Sequence, residues 1–240
     1  MDARPLTTHV MPTTEFPAVS DDPAAAPNGH VKVERRERVI VRFAGDSGDG
    51  MQLAGGRFTD ATAVFGNDLA TLPNFPAEIR APAGSLAGVS SFQIHFASRD
   101  IATPGDLPNV LVAMNPAALK ANLGQIERGA TIIVNEDAFS TRNLQKAGYD
   151  ESPLDGDSLD AFQVKRVPMS SLTQRAVEGL DEVTSRDAQK AKNLFALGVL
   201  SWLYDRPTDV TEKWIRAKFE GHVLAAIRPS AVASVPLMLR

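Results

Sequence analysis

The chain has 240 residues, a formal net charge of −4 and no cysteine. That length can bury a full core in one domain of roughly 180 to 200 residues with ragged ends, and two complete domains would be crowded. The charge argues against a nucleic-acid partner, since Arg35, Arg36 and Arg38 form the one basic cluster, and the missing thiols exclude disulfides, thiolate zinc sites and any iron–sulfur cluster held by this chain.

No apolar run approaches about 18 residues, and the N-terminus lacks an apolar signal core. The expectation is a soluble, cytoplasmic protein without a membrane partner. Residues 1–37 hold five of the sixteen prolines and show neither helical nor strand period, so they read as a disordered leader.

Residues 39–56, VIVRFAGDSGDGMQLAGG, open the ordered part. Val39, Ile40, Val41 and Phe43 form a short apolar run that stops at a glycine-dense turn. Met51, Ala54, Phe58, Ala61 and Phe65 then fall at helical spacing. The pattern is strand, turn, helix. Gly45, Gly48 and Gly50 allow positive φ and a close backbone approach, and the N–H groups that open the helix favour an anion, so the turn reads as a phosphate cradle.

It matches neither of the two commonest cradles. Gly45 and Gly50 have P-loop spacing, but Met51 and Gln52 stand where the lysine and the magnesium hydroxyl are required. Gly48 and Gly50 begin a G-x-G-x-x-G, yet Leu53 occupies the third position, where a dinucleotide fold needs glycine for close packing. Asp46 and Asp49 would repel phosphate if they faced it; Asp49 followed by Gln52 fits a capping box instead. A tight turn that binds nothing is the plain alternative.

Prolines 73, 76 and 82 rule out a long helix after the first one, and residues 88–97 alternate as a strand, with Leu86, Val89, Phe92, Ile94 and Phe96 as the apolar residues. Between them lies a loop, 75–88, with Glu78, Arg80 and Ser85. Its one cation, Arg80, is either a ligand contact or a solvated partner of Glu78. Residues 110–113 form the next strand and Pro116 starts a helix, which puts Asn115 at a strand's carboxyl end. GATIIVNED repeats the pattern with Asn135.

Asn115, Asn135 and the 45–50 turn can therefore meet in one crevice of an open α/β sheet, although each asparagine alone also serves as a helix cap. Residues 147–160 read as an exposed loop, followed by a strand in FQVKRVPM. Two helices follow, SRDAQKAKNLFALGVLSWLYD with Lys192 and Asn193 on its polar face, and TDVTEKWIRAKF. The alternation predicts a three-layer α/β/α fold with a mostly parallel, Rossmann-like sheet. Residues 220–240 lack Asp, Glu and Lys and read as an anomalous or truncated tail. His9, His30, His95 and His222 have no metal-ligand spacing, and no G-x-S-x-G elbow is present, so the chain reads as a binder without catalytic residues of its own.

Five blocks, GDSGDGMQLAGG, LPNFPAEIRAPAGSLAGVSSFQIHF, VLVAMNPAAL, TIIVNED and KNLFALGVLSWLY, together resemble the gamma domain of 2-oxoacid:ferredoxin oxidoreductases, over residues 38–219 and in the right order. In particular they resemble the N-terminal half of the fused alpha subunit of the 2-oxoglutarate type. This implies a domain that helps hold coenzyme A, with thiamine diphosphate and the iron–sulfur cluster in other domains or in a partner beta subunit, and ferredoxin as electron acceptor. It places the coenzyme A contacts at Gly45, Asp46, Ser47, Gly48, Asp49 and Gly50, at Arg80 and Ser85, and at Asn135 and Asn193. A full alpha subunit of that type continues past residue 219, so the isolated chain is expected to lack turnover. A purely structural interaction domain and a nicotinamide-dependent dehydrogenase domain are the alternatives.

Overall fold

The structure, a computed structural model, describes residues 6–9, 33–75, 88–178 and 185–218. Six strands form one sheet in the order β4-β5-β3-β6-β7-β8, comprising β3 (Arg38–Asp46), β4 (Asp68–Asn74), β5 (Val89–Ala97), β6 (Val110–Ala113), β7 (Thr131–Asn135) and β8 (Gln163–Val167). The pairs β3 with β6, β6 with β7 and β7 with β8 are parallel, whereas β5 runs antiparallel to β3 and β4. The mostly parallel sheet and its flanking helices are the expected α/β architecture.

The central strands are apolar on both sides, as a sheet covered on both faces requires. Val41, Phe43, Val110, Val112 and Ile133 join one apolar cluster; Ala44, Leu111, Ala113, Ile132 and Val134 join another. The first cluster packs under α1 (Met51–Phe65), α4 (Met169–Ala176), α5 (Ser185–Leu203) and α6 (Asp209–Lys218), which send in Phe58, Leu172, Leu200 and Ile215. The second is covered by α2 (Pro116–Asn122) through Ala118 and Leu119, next to α3 (Thr141–Lys146). Leu159, inside the 147–160 stretch, also plugs this cluster, and Leu154 packs against it.

Close packing of α1 depends on Gly55. A Cβ there would lie 2.2 Å from Phe92 Cδ1 on β5, so the helix reaches the sheet only because that position is bare. Gly55 thus does the close packing that the dinucleotide pattern assigns to its third glycine, two positions beyond Leu53.

Two departures from the sequence reading concern strands. Leu6–His9 (β1) pairs antiparallel with Val33–Arg36 (β2), and Leu6 is buried in the first cluster, so these parts of residues 1–37 are not a structureless leader. The drive is burial: His9 also stacks on Trp202 of α5 with ring centroids 5.1 Å apart. The second is β4, which carries Pro73; it is the edge strand, where a missing N–H costs no ladder bond. Most of the 75–88 loop and all of the 220–240 tail lie outside the described residues, and with them Arg80 and Ser85. Among the described residues, no helix is long and apolar enough to cross a membrane.

Candidate functional site: the glycine turn at the carboxyl end of β3

The turn sits where β3 ends and α1 begins, beside the carboxyl end of β6. Its shape is set by hydrogen bonds from within: Asp49 N donates to Asp46 O at 2.9 Å, and Asp46 N donates to Asp49 Oδ2 at 3.1 Å. The Asp49 carboxylate therefore folds back over the turn. It does not close the helix, and the expected capping box does not form. Gly50 is the N-cap of α1, in the left-handed region at φ 72°, with no side-chain cap hydrogen bond. Gln52, the other half of the expected box, donates instead to Ser91 O at 2.9 Å, Ser90 Oγ at 3.1 Å and Asn74 O at 3.2 Å, which ties α1 to β5 and β4.

The three glycines have different work. Gly45 is buried, and a Cβ on it would press on Asp49 and Met51 at 3.1 and 3.2 Å. Gly48 takes no positive φ and has no atom within 4 Å of a Cβ built on it, so it lies open. Gly50 alone needs the left-handed backbone, and a Cβ there would strike Asn193 Nδ2 at 2.2 Å. Of the three glycines that allow positive φ, one uses it.

Three distant side chains converge on the turn. Asn193, buried in α5, donates from Nδ2 to Gly50 O at 3.4 Å. Its neighbour Lys192 places Nζ 2.9 Å from Asp49 Oδ1, with both side chains largely covered. Asn115 donates from Nδ2 to Asp46 Oδ1 at 2.8 Å, while its Oδ1 accepts from Ala118 N at 2.8 Å and so caps α2. Burial first, and then the Asp49 carboxylate, push the Asp46 carboxyl above its ordinary range; Asn115, Lys192 and Lys146 pull it partly back.

Asn135 does not face this crevice. It is buried, its Nδ2 donates to Ser170 Oγ at 3.0 Å and to Met114 O at 3.4 Å, and its Oδ1 accepts from Ser170 N at 3.3 Å, which stitches β7 to α4. The expected set is thus split. Residues 45–50 and Asn193 come together, Asn115 and Lys192 join them, and Asn135 stands behind as a brace. The role of Gly55 had a signal in the sequence, because a Gly55-Gly56 pair inside a helix opposes helix propensity and calls for a packing reason.

The surface that remains is suited to binding. Ser47 and Gly48 are exposed, the first turn of α1 has no side-chain cap, and both carboxylates of the turn are held by Asn115 and Lys192. Anions favour such a helix start. Two cavities among the described residues lie elsewhere. One of about 360 Å³ sits at the amino ends of the strands beside Arg36, Glu127 and Lys165, and one of about 590 Å³ beside Glu136, Asp150 and Arg166. Among the described residues, the glycine turn presents an open ledge at the exposed Ser47 and Gly48.

Comparison with known proteins fits this geometry. The chain is 59% identical over 186 residues to the 2-oxoglutarate oxidoreductase subunit KorA of Mycobacterium tuberculosis (strain ATCC 25618 / H37Rv), a match that covers 78% of this chain and 28% of that subunit. The chain therefore spans less than a third of the length of that relative. The fold resembles that of a 2-oxoglutarate:ferredoxin oxidoreductase from Magnetococcus marinus, solved with 2-oxoglutarate, coenzyme A and succinyl-CoA bound, at a TM-score of 0.63 and 23% identity over 85% of this chain and 31% of that one. It also resembles the gamma subunit of a keto/oxoacid ferredoxin oxidoreductase from Geobacter sulfurreducens PCA, at a TM-score of 0.57 and 15% identity over 84% of this chain and 98% of that one. The family model described as pyruvate ferredoxin/flavodoxin oxidoreductase matches residues 40–231, which takes in the whole six-stranded sheet from Ile40 of β3 onward, and the chain belongs to that family.

Proposed function

We propose that this chain is the coenzyme-A-binding gamma domain of a 2-oxoglutarate:ferredoxin oxidoreductase and that the 45–50 turn grips the phosphates of coenzyme A. The observation that carries the reading is the uncapped start of α1 behind an exposed Ser47 and Gly48, in a chain 59% identical to a 2-oxoglutarate oxidoreductase subunit. Lys192 and Lys146 stand close enough to act on Asp46, so cations already flank the ledge. The two carboxylates are held by the protein's own donors, which lowers their repulsion of an incoming phosphate.

In this reading coenzyme A is the co-substrate that accepts the succinyl group after decarboxylation. Thiamine diphosphate and the iron–sulfur cluster belong to other domains or to a beta subunit, and electrons leave to ferredoxin. The lack of cysteine fits both that division and a cytoplasmic setting. Arg80 and Ser85 would complete the grip from the 75–88 loop.

Titration calorimetry with coenzyme A, on the full chain and on the enzyme assembled with its beta subunit, tests the proposal. Gly48→Val adds a branched side chain where the fold has free space, so it should block the ligand and spare the fold. Binding is expected to vanish in Gly48→Val and to weaken about tenfold or more in Lys192→Ala. Unchanged circular dichroism with undiminished coenzyme A binding in Gly48→Val would overturn the site. A chain that binds no coenzyme A even when assembled would leave a structural interaction domain.

A further inference from the structure

Among the described residues, Arg42 is a buried cation without a counter-ion. It lies in the middle of β3 on the face toward α2, and it is 9% exposed. Three amide oxygens surround its guanidinium. Gln93 Oε1 accepts from Nε at 3.0 Å and from Nη2 at 2.7 Å, while Asn122 Oδ1 and Gln125 Oε1 each accept from Nη1 at 3.1 Å.

The amides are themselves fixed at their nitrogen ends. Gln93 Nε2 donates to Gly105 O and Pro104 O at 2.8 and 3.0 Å, Asn122 Nδ2 to Ala118 O at 2.8 Å, and Gln125 Nε2 to Ala121 O at 3.3 Å. The oxygens are thus aimed at the cation by the backbone around them. A guanidinium carries five N–H donors, and these contacts occupy four.

Among the described residues no carboxylate pairs with Arg42, whereas Arg36, Arg38, Arg57, Arg166, Lys192 and Lys213 each have one. Burial alone pushes its pKa down. Neutral amides orient a guanidinium but do not neutralise it, and an uncompensated buried charge is costly. Where the missing charge would sit there is room: a cavity of about 270 Å³ opens onto Arg42, with Asn74, Ser91, Gln93 and Gln125 in its walls. Asn74 and Ser91 are the polar residues that β4 and β5 add to the same hollow, beside Gln93.

We propose that this cavity is an oxyanion subsite, in which a phosphate or carboxylate group of a small ligand pairs with Arg42. The one N–H that remains on Nη2 can donate to either group, and the positive charge supplies the rest of the attraction. The subsite does not depend on what the glycine turn binds.

The test uses the full chain with ¹⁵N-labelled arginine, titrated separately with sodium phosphate and with sodium succinate at constant ionic strength. The Arg42 Nε–H resonance, assigned by its loss in Arg42→Lys, is expected to shift saturably with at least one probe. Saturation with phosphate alone identifies a phosphate site, and saturation with succinate alone a carboxylate site. Gln125→Glu supplies a resident carboxylate at a position that already accepts from Nη1. It should raise the melting temperature by several degrees and weaken the responding probe by about tenfold or more. A resonance that follows neither probe, or that shifts equally with sodium chloride, overturns the proposal. So does a Gln125→Glu chain that melts no higher and still titrates like the parent.

Discussion

On the side of the sheet under α1 and α5, Phe43 and Phe96 meet Phe58 edge-on, with ring centroids 6.1 and 5.6 Å away, and Tyr204 closes against Phe96 at 5.3 Å. On the other side, the same two strands turn Arg42, Gln93 and His95 inward, and all three are buried. His95 Nδ1 donates to Thr103 O at 2.8 Å, and Gln93 holds the 104–105 backbone, so this face is closed by a polar seam. Apolar contact is non-directional and tolerates small shifts, whereas every donor in a buried polar seam must find its acceptor. The first face supplies the bulk of the folding free energy, and the second fixes one arrangement of β3, β5 and α2.

The largest blow to the apolar face is Phe58→Ala. Phe58 is fully buried among Phe43, Phe96 and Tyr204, and its loss should cost about 3 to 5 kcal/mol by urea unfolding. The polar face should answer less strongly but by another mechanism. Gln93→Leu keeps similar bulk and leaves Arg42 Nε and the Pro104 and Gly105 carbonyls without their partner, for an expected loss of about 1 to 3 kcal/mol. A Gln93→Leu chain as stable as the parent would mean that the seam specifies nothing.

The smallest expected effect lies at the end of β3, on the same side as Arg42. The folded-state pKa of Asp46 is raised, so the folded chain holds the proton more tightly than the unfolded chain does. Its carboxylate therefore costs stability at neutral pH, and the cost is relieved as pH falls through the raised value. Asp46→Asn keeps an acceptor for Asn115 Nδ2 and removes the charge. Melting curves should show the variant slightly more stable at pH 7, with the gap closing on acidification. A gap that widens at low pH would contradict the burial argument.

How much of this was legible in the sequence follows from the range of each interaction. Val110–Ala113 and the start of α2 at Pro116 were readable because a run of apolar residues and a proline at the first helical position are local signals. β4 was missed because Pro73 and mostly exposed side chains hide an edge strand. β5 was read from its apolar side alone; the burial of Ser91, Gln93 and His95 depends on β3 and the 103–105 backbone. At the site, the glycine spacing marked the turn, but nothing local says that Asp49 turns back to Asp46 N and Lys192. The pattern Asp49-x-x-Gln52 satisfied a capping rule whose residues found better partners elsewhere.

The bond from Asn193 to Gly50 spans 143 positions along the chain. Closing so long a loop carries a large entropic penalty, which non-local contacts repay only late in folding. Local hydrogen bonds can bend residues 46–50 early, but the left-handed Gly50 is held in place only when α5 docks. During synthesis, the ledge stays unfinished until residue 193 has left the ribosome and packed. A nascent or C-terminally shortened chain therefore has the sheet before it has the ledge, and the finished glycine turn is among the last features the domain acquires.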